Sequence, residues 1–226
     1  MAHHELLDKA TFDRWRAQAA ILERDAHGDK VLQLSNGLIL KLFRDKGFFS
    51  RGHWLPLSAR FARNARALIA RHIPTVRIQC LYRLPWSGHC AVLYEPLPGT
   101  MLRDLGNKGE LTPPVARQLG EFIARLHQQG VMFRSLHLGN ILLGDNGELG
   151  LIDIADMRCR PWPLNRWQRA RNFAHFFRYA DNAWALSPAM AADITQAYFA
   201  CTPSPASLRA AVTALLQKHQ KKAHNG

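Results

Sequence analysis

The chain has 226 residues, 47% hydrophobic and 21% charged, a composition that favours a globular core for one sizeable domain or two small lobes and excludes extensive disorder. Thirty Lys and Arg residues against seventeen Asp and Glu give a net charge of +13, which favours an anionic partner such as nucleic acid, an acidic membrane surface or a phosphorylated substrate. No window approaches the ~18 consecutive apolar residues of a membrane-spanning helix, so no span is expected.

The N-terminal sequence and the cysteines bear on the cellular compartment. The first residues, MAHHELLDKATFDRW, include acidic side chains and no long apolar stretch, so they do not resemble a secretory signal. The cysteines are scattered without a Cys-x-x-Cys pair, which indicates neither a zinc site nor a disulfide framework. This usage fits a reducing compartment, and we expect a cytoplasmic protein.

The first part of the chain is predicted to be rich in β-strands. Residues 30–43, KVLQLSNGLILKLF, predict two strands around a tight turn at Asn36-Gly37. Residues 55–72 predict the one helix of this part. The predicted apolar face of that helix carries Phe61, Ala65, Leu68 and Ile69. Two further strands are predicted in IPTVRIQCLYRL and HCAVLYEPL, joined by the turn PWSG.

The second part of the chain is predicted to be mainly helical. Residues 111–130 predict a buried helix with Thr112 as N-cap, Pro113 in its first turn and its end at Gly130. The apolar stripe of this helix is Leu119, Phe122, Ile123 and Leu126. NILLGDNGELGLIDI predicts two short strands across the DNG turn, followed mostly by helix.

Together these elements predict an α+β fold with two lobes inside a single domain, residues 1–226. The N-terminal lobe, residues 1–97, is predicted to be β-rich, and the C-terminal lobe, residues 98–226, to be α-helical.

Five short motifs occur in an informative order: the strand LILKLF, then LYEPLPG, ARLHQQG, LGNILL and LIDIAD. In this order the chain resembles protein-kinase-like folds, and most closely the bacterial branch of lipopolysaccharide core kinases and aminoglycoside phosphotransferases. Loops of that branch commonly read like HGDLHPGNIL, which FRSLHLGNIL here matches at L-H-x-G-N-I-L. The resemblance covers about residues 25–180 and implies a phosphotransferase that uses ATP and Mg²⁺.

The resemblance implies a nucleotide site in the N-terminal lobe. Lys41 would place its ammonium group on the nucleotide phosphates, although it could instead reach solvent from a strand edge. Gly28 is the one glycine of the segment expected to cover the phosphates, and LYEPLPG resembles the hinge, so backbone groups around Glu95 and Leu97 would receive adenine. Asn64 occupies the position of the helix glutamate that normally holds the lysine, so Lys41 either needs another anchor or is held loosely until ATP binds.

The resemblance also implies a magnesium site. Asn140 and Asp153 match the two residues that hold the metal in this fold, and Asn140 thereby also contacts the nucleotide. One carboxylate and one amide oxygen, completed by phosphates and water, suit a hard divalent cation. The alternative role for Asp153 is to cap a turn after an apolar strand.

Ser135 occupies the position at which related loops carry the catalytic aspartate. A serine hydroxyl has no low pKa and cannot act as the base, so we expect Asp156 to take over proton handling. His137 is a second candidate, although a histidine at this place more often braces the loop, and Phe133, in place of the usual loop histidine, should pack apolarly. Losing a general base costs about 10²–10⁴ in rate, which a slow enzyme survives.

A segment rich in arginine and aromatic residues, RPWPLNRWQRARNFAHFFR, follows the metal loop. Its Arg166, Arg169 and Arg171 are predicted to bind the acceptor, because guanidinium groups bind phosphate in a bidentate manner. The alternative for each is a solvated helix surface. The resemblance implies an anionic saccharide of the lipopolysaccharide core, or a lipid-linked one, as acceptor, and peripheral contact with an acidic membrane surface at the inner membrane face.

Two functional hypotheses follow from these residues. The chain is either an ATP-dependent phosphotransferase for such a saccharide or a pseudokinase, a nucleotide-binding regulatory module without turnover. Nucleic-acid binding is a third hypothesis that rests on charge alone, and no helix-turn-helix, zinc-finger or RNA-recognition signature supports it.

Overall fold

The chain forms two compact units in a computed structural model, Met1–Leu97 and Pro98–Gly226. The structure describes residues 4–26, 28–44, 56–179 and 186–224, and it describes side chains up to His219. The first unit is rich in strands and the second is mainly helical, which confirms the predicted two-lobed α+β fold class. Leu55, the first residue of the predicted helix 55–72, lies outside the described residues.

The N-terminal unit is built on a six-stranded sheet. Its strands are β1 (Glu5–Leu6), β2 (Ala20–Asp25), β3 (Gly28–Gln33), β4 (Ile39–Arg44), β5 (Arg77–Leu84) and β6 (His89–Glu95). Their order across the sheet is β1-β5-β6-β4-β3-β2, with β1 parallel to β5 and the other neighbours antiparallel. The predicted hairpin at Asn36-Gly37 therefore connects β3 and β4, and β4 lies inside the sheet.

In the described part of this unit, two helices accompany the sheet, α1 (Lys9–Ala17) and α2 (Leu57–Ile69). The prediction of one helix in this part was wrong because α1 buries only Phe12 and so carries almost no apolar periodicity. Its local signal is Asp8, whose side chain accepts a hydrogen bond from the Thr11 amide at 2.9 Å as an N-cap. In α2 the predicted face is buried except for Ile69, the last residue of the helix, which is 51% exposed.

Among its described residues, the C-terminal unit contains five helices longer than one turn and five short strands. Its helices are α3 (Leu102–Asn107), α4 (Pro113–Gln128), α5 (Arg166–Arg178), α6 (Pro188–Cys201) and α7 (Ala206–His224). Its strands are β7 (Thr100–Met101), β8 (Val131–Phe133), β9 (Ile141–Leu143), β10 (Leu149–Leu151) and β11 (Met157–Cys159). The strands form a sheet of order β10-β9-β7 and a separate antiparallel pair of β11 with β8.

Helix α4 lies at the centre of this unit, and its predicted apolar stripe is buried along its whole length. It begins with Pro113 after Thr112 in the N-cap position, and it ends at Gln128, two residues before Gly130. Helix α6 packs closely on it at Gly120, where a Cβ atom would lie 2.2 Å from the Ile194 carbonyl oxygen. The absence of a side chain at Gly120 is therefore what allows the two backbones to approach.

Within the residues that the structure describes, no helix is both long enough and apolar enough to cross a membrane.

Gly120→Ala is expected to destabilise the protein because the added Cβ atom must displace the α6 backbone. Overpacking of this kind costs about 1–3 kcal/mol, and each kcal/mol lowers the melting temperature of a chain of this size by about 2–4 °C. Thermal unfolding measures the effect, with Glu121→Ala, at an exposed position of the same helix, as the matched control. Equal melting temperatures for the two variants would contradict the close approach of α4 and α6.

Candidate functional site

The loop that carries Ser135 connects β8 to β9, and both strands have partners that carry the acidic residues of interest. Strand β8 pairs with β11 so that Phe133 lies opposite Met157, which brings Asp156 beside the start of the loop. Strand β9 pairs with β10 so that Ile141 lies opposite Leu151, and Asp153 comes two residues later. The two ladders therefore hold the start of the loop near Asp156 and the end of the loop near Asp153.

Ser135 and Asp156 are in direct contact. The Ser135 Oγ donates a hydrogen bond to Oδ2 of Asp156 at 2.6 Å. The other oxygen of Asp156, Oδ1, is buried and has no hydrogen-bond partner among the residues that the structure describes. One carboxylate oxygen is therefore held in place, while the second keeps its capacity to accept a hydrogen bond.

Asn140 is oriented by the loop itself. It is 7% exposed, and its Nδ2 donates a hydrogen bond to the Ser135 carbonyl at 3.0 Å, which leaves its Oδ1 as a possible ligand. The Ile152 amide donates to the Asn140 carbonyl at 3.1 Å, so the segment that leads into Asp153 is tied to Asn140. An amide oxygen and a carboxylate fit a hard cation such as Mg²⁺, which prefers oxygen ligands.

Asp153 has a backbone conformation that is uncommon for a residue with a side chain. Its φ is 50° and its ψ is 46°, in the left-handed region, at the N-cap of the 3₁₀ turn Ile154–Asp156. Such a conformation costs about 1–3 kcal/mol and is frequent at functional sites. The strain, together with the hydrogen bonds that hold the neighbouring segment, makes Asp153 a candidate metal ligand, and this role stays a prediction.

His137 makes contacts that hold the loop. Its Nδ1 accepts a hydrogen bond from the Gly139 amide at 3.1 Å, and its ring centroid lies 4.4 Å from that of Tyr179. The loop is also closely packed at Gly139, where an added Cβ atom would lie 3.0 Å from a guanidinium nitrogen of Arg103. These contacts favour the bracing role over the proton-transfer role, and Phe133 is fully buried, as expected for a residue that packs apolarly.

A buried hydrogen-bond chain fixes the start of the loop to three helices. His127 of α4 has its Nδ1 3.0 Å from the Tyr198 hydroxyl of α6 and its Nε2 3.0 Å from Oδ1 of Asn172 in α5. The Asn172 Nδ2 then donates to the Phe133 carbonyl at 2.6 Å, one residue before Arg134. Because the Asn172 Oδ1 only accepts, His127 carries its proton on Nε2.

In the N-terminal unit, Lys41 lies on β4 between Val31 and Val92 of the neighbouring strands. It is only 6% exposed, and its Nζ lies 5.9 Å from the ring centroids of Phe43 and Phe61. Cation–π contacts of this kind give the ammonium group an anchor where the helix glutamate is absent. The lysine is therefore buried in the sheet and does not reach solvent from a strand edge.

The other residues expected to contact the nucleotide lie at or just beyond the ends of strands. Gly28 begins β3 with a φ of 120°. Glu95 ends β6, and its Oε1 accepts a hydrogen bond from the Gln79 Nε2 at 2.6 Å. Leu97 is half-buried and is the last residue of its unit. Their roles towards a nucleotide stay predictions.

The three arginines expected to bind the acceptor have different surroundings. The Arg166 guanidinium is exposed and lies 5.0 Å from the Trp167 ring centroid. Arg169 donates to the Leu164 carbonyl at 2.8 Å and to the Thr202 hydroxyl at 2.9 Å, contacts that join α5 to the end of α6. These contacts favour a structural role for Arg169. Arg171 is exposed and remains the stronger candidate for binding the acceptor.

The structure adds three residues that the sequence analysis did not single out as site residues: Arg134, His175 and Arg178. The His175 Nδ1 lies 3.4 Å from Nη2 of Arg178. Burial lowers the pKa of His175, and the charges of Arg178, Arg171 and Arg134 lower it further, while the Asp156 charge opposes this effect. The spacing of positions 171, 175 and 178, which share one helix face, was the available signal.

The chain is similar to known proteins in the region that holds this loop. Residues 100–198 match the sequence model of the Lipopolysaccharide kinase (Kdo/WaaP) family. Proteins named 3-deoxy-D-manno-octulosonic acid kinase, from Xylella fastidiosa strains 9a5c and M12, are each 33% identical over 144 residues, which are 63% of this chain and 57% of the relative. The matched region thus spans little more than half the length of these relatives. The resemblance predicted from the loop motifs is confirmed.

The buried chain predicts a pH dependence of stability. Burial lowers the pKa of His127 to about 3, whereas an unfolded histidine titrates near pH ~6.5. Between these values the unfolded state binds a proton that the folded state excludes, so stability decreases as the pH falls, by up to about 1.4 kcal/mol per pH unit. Above pH ~6.5 the ring is neutral in both states and contributes no slope.

Urea unfolding between about pH 7 and about pH 5 tests this expectation. His127→Gln keeps hydrogen-bonding groups at this position but removes the titration, so the variant should lose less stability on acidification than the wild type does. Other groups titrate in both proteins, and the difference between the two slopes isolates His127. Identical slopes would contradict a neutral, buried His127.

Proposed function

We propose that the chain is an ATP-dependent phosphotransferase that acts on an anionic saccharide of the cell envelope, of the lipopolysaccharide core type. The observation that carries the proposal is the contact between Ser135 and Asp156 in a loop that also orients Asn140. The relatives are named as kinases of 3-deoxy-D-manno-octulosonic acid, a sugar acid. We infer the same class of acceptor here.

The nucleotide and Mg²⁺ would supply the phosphoryl group and neutralise its charge, as in phosphoryl transfer generally. The Asn140 Oδ1 and the Asp153 carboxylate provide two oxygen ligands for the metal, and the strained backbone at Asp153 is consistent with this role. Lys41 would contact the phosphates with an ammonium group that the Phe43 and Phe61 rings hold in place.

The acceptor hydroxyl must lose its proton during transfer, and Asp156 is suited to receive it. Its Oδ1 has no hydrogen-bond partner among the described residues, while the Ser135 hydroxyl holds Oδ2 and so fixes the orientation of the carboxylate. Ser135 thus acts as a positioning residue and His137 as a brace.

The second hypothesis, a pseudokinase, is favoured by the departures at Ser135 and Asn64 from the family pattern. A pseudokinase of this fold would still bind nucleotide, and the side chains described above would then hold a ligand without transfer. Nucleotide binding cannot distinguish the two hypotheses, but formation of a phosphorylated saccharide can.

Turnover should depend on the two aspartates in different degrees and only slightly on Ser135. We expect Ser135→Ala to lower kcat by less than about tenfold and Asp156→Ala by about 10²-fold or more, the scale of a removed base. Asp153→Ala should abolish turnover because a metal ligand is lost. Transfer of labelled phosphate from ATP to a saccharide that carries 3-deoxy-D-manno-octulosonic acid measures each rate.

Asp145→Ala, which removes an exposed carboxylate from the turn between β9 and β10, is the matched control and should keep the wild-type rate. If wild type and Asp153→Ala consume ATP at the same background rate with this saccharide, the phosphotransferase proposal is wrong. The pseudokinase hypothesis then replaces it.

We further propose that the protein is cytoplasmic and contacts an acidic membrane surface at the start of α5. Trp162 and Trp167 are 59% and 72% exposed, Arg166 lies over the Trp167 ring, and Arg158 is exposed as well. Tryptophan rings favour the interface between lipid and water, and guanidinium groups favour anionic headgroups. A lipid-linked acceptor would be presented at such a surface.

Vesicle sedimentation tests this contact. The wild type should bind phosphatidylglycerol vesicles more strongly than phosphatidylcholine vesicles, and added salt should weaken the binding. Replacing Trp162 and Trp167 together by Ala should lower the partition coefficient by about tenfold or more. Leu22→Ala, at an exposed apolar position of β2, is the control. Binding that is unaffected by the double substitution would contradict this surface.

A further inference from the structure

A group of basic side chains lies beside the Ser135–Asp156 contact, and it is distinct from the residues expected to hold the nucleotide. We propose that Arg134, Arg171, Arg178 and His175 form a site for the carboxylate group of the acceptor sugar. This inference rests on the proposed function, because it assigns the recognition of the acceptor to a particular part of the same site.

The strand pairing places Arg134 close to Asp156. Phe133 and Met157 are opposite each other at the end of the ladder between β8 and β11, so Arg134 and Asp156 leave that ladder side by side. The hydrogen bond of 2.6 Å between Ser135 and Asp156 shows that the two segments stay together beyond the last pair. Arg134 is exposed, so its guanidinium group is accessible to a ligand next to the carboxylate.

Helix α5 is fixed against the same point of the chain. The Asn172 Nδ2 donates to the Phe133 carbonyl at 2.6 Å, which holds this part of the helix at the residue before Arg134. Arg171, His175 and Arg178 are spaced by four and three residues and therefore share one face of α5. Both arginines are exposed, and the histidine between them is half-buried.

His175 contributes a buried donor to this group. Arginine has no acceptor atom, so the His175 Nδ1, 3.4 Å from Nη2 of Arg178, must accept, and the neutral imidazole carries its proton on Nε2. This Nε2 is buried and has no hydrogen-bond partner in the part of the chain that the structure describes. Burial lowers the pKa of His175, the charges of Arg178, Arg171 and Arg134 lower it further and the Asp156 charge opposes this, so the net direction agrees with a neutral ring.

The chemistry of these groups specifies the ligand. A buried N–H donor near three guanidinium groups favours an anionic ligand. Carboxylate and phosphate are suitable anions because each can accept two hydrogen bonds from one guanidinium group. The Asp156 Oδ1, also buried and without a partner among the described residues, calls for a donor such as a hydroxyl. A sugar acid carries both groups, so its carboxylate would lie on the basic side chains while a hydroxyl approaches Asp156.

Binding of a soluble acceptor analogue, measured by calorimetry without nucleotide, tests the inference. The probes are the methyl glycoside of 3-deoxy-D-manno-octulosonic acid, the methyl ester of that glycoside, and inorganic phosphate. We expect the free acid to bind at least about tenfold more tightly than the ester, since charge-assisted hydrogen bonds to the carboxylate are lost in the ester. Inorganic phosphate should compete only weakly with the free acid.

The variants address the side chains. Replacing Arg134, Arg171 and Arg178 together by Gln should weaken binding of the free acid by about tenfold or more and leave binding of the ester unchanged. Arg117→Gln, at an exposed position of α4, is the control and should bind both as the wild type does. If the triple variant does not fold, the single variants Arg171→Gln and Arg178→Gln, each at an exposed position, should likewise weaken binding of the acid more than binding of the ester.

Equal affinity of the wild type for acid and ester would overturn the assignment of a carboxylate. Tight, arginine-dependent binding of inorganic phosphate with no binding of the acid would assign the site to a phosphate group instead and would also overturn it. The measurement needs no ATP, so it separates this inference from the proposed function. If the protein binds the acid through these arginines but transfers no phosphate, only the proposed function is contradicted.

Discussion

The buried hydrogen-bond chain from Tyr198 through His127 and Asn172 to the Phe133 carbonyl is the interaction on which the candidate site depends. Its members come from α6, α4 and α5, and it ends on backbone immediately before the loop of interest. A buried polar group without a partner costs about 1–3 kcal/mol, so each member of the chain needs the others. The position of the loop is therefore set by the packing of three helices rather than by the loop sequence alone.

Ser135 acquires a physical role through this placement. A serine in place of an aspartate removes a base, but it also removes a negative charge that would repel Asp156 at a distance of 2.6 Å. The hydroxyl can donate to Asp156, which an ionised carboxylate cannot do. The substitution thus allows the carboxylate of the 3₁₀ turn to lie directly against the loop, with one oxygen held by the hydroxyl and the other without a hydrogen-bond partner among the described residues.

Elements with strong apolar periodicity or tight turns could be predicted from the sequence. The loop could be identified from the order of the short motifs. Helix α4 and the hairpin of β3 and β4 were predicted because their apolar spacing and turn residues are local signals. Helix α1 was missed because only Phe12 faces a core. The contact of Ser135 with Asp156 was not predictable from spacing, since it depends on the register of β8 with β11, which pairs residues 24 to 28 positions apart.

The arginines of α5 show why a count of charges could not locate an acceptor site. Arg169 lies within the same basic stretch as Arg171, yet its guanidinium donates to Leu164 and Thr202 inside the unit. Arg166 stacks on exposed Trp167 at the helix start. An α-helix turns by about 100° per residue, so neighbouring side chains point to different surroundings. Arginines close together in this sequence therefore contact other helices, lie over an aromatic ring or lie near Asp156. The excess of positive charge indicates an anionic partner, and the helix geometry determines which arginines can meet it.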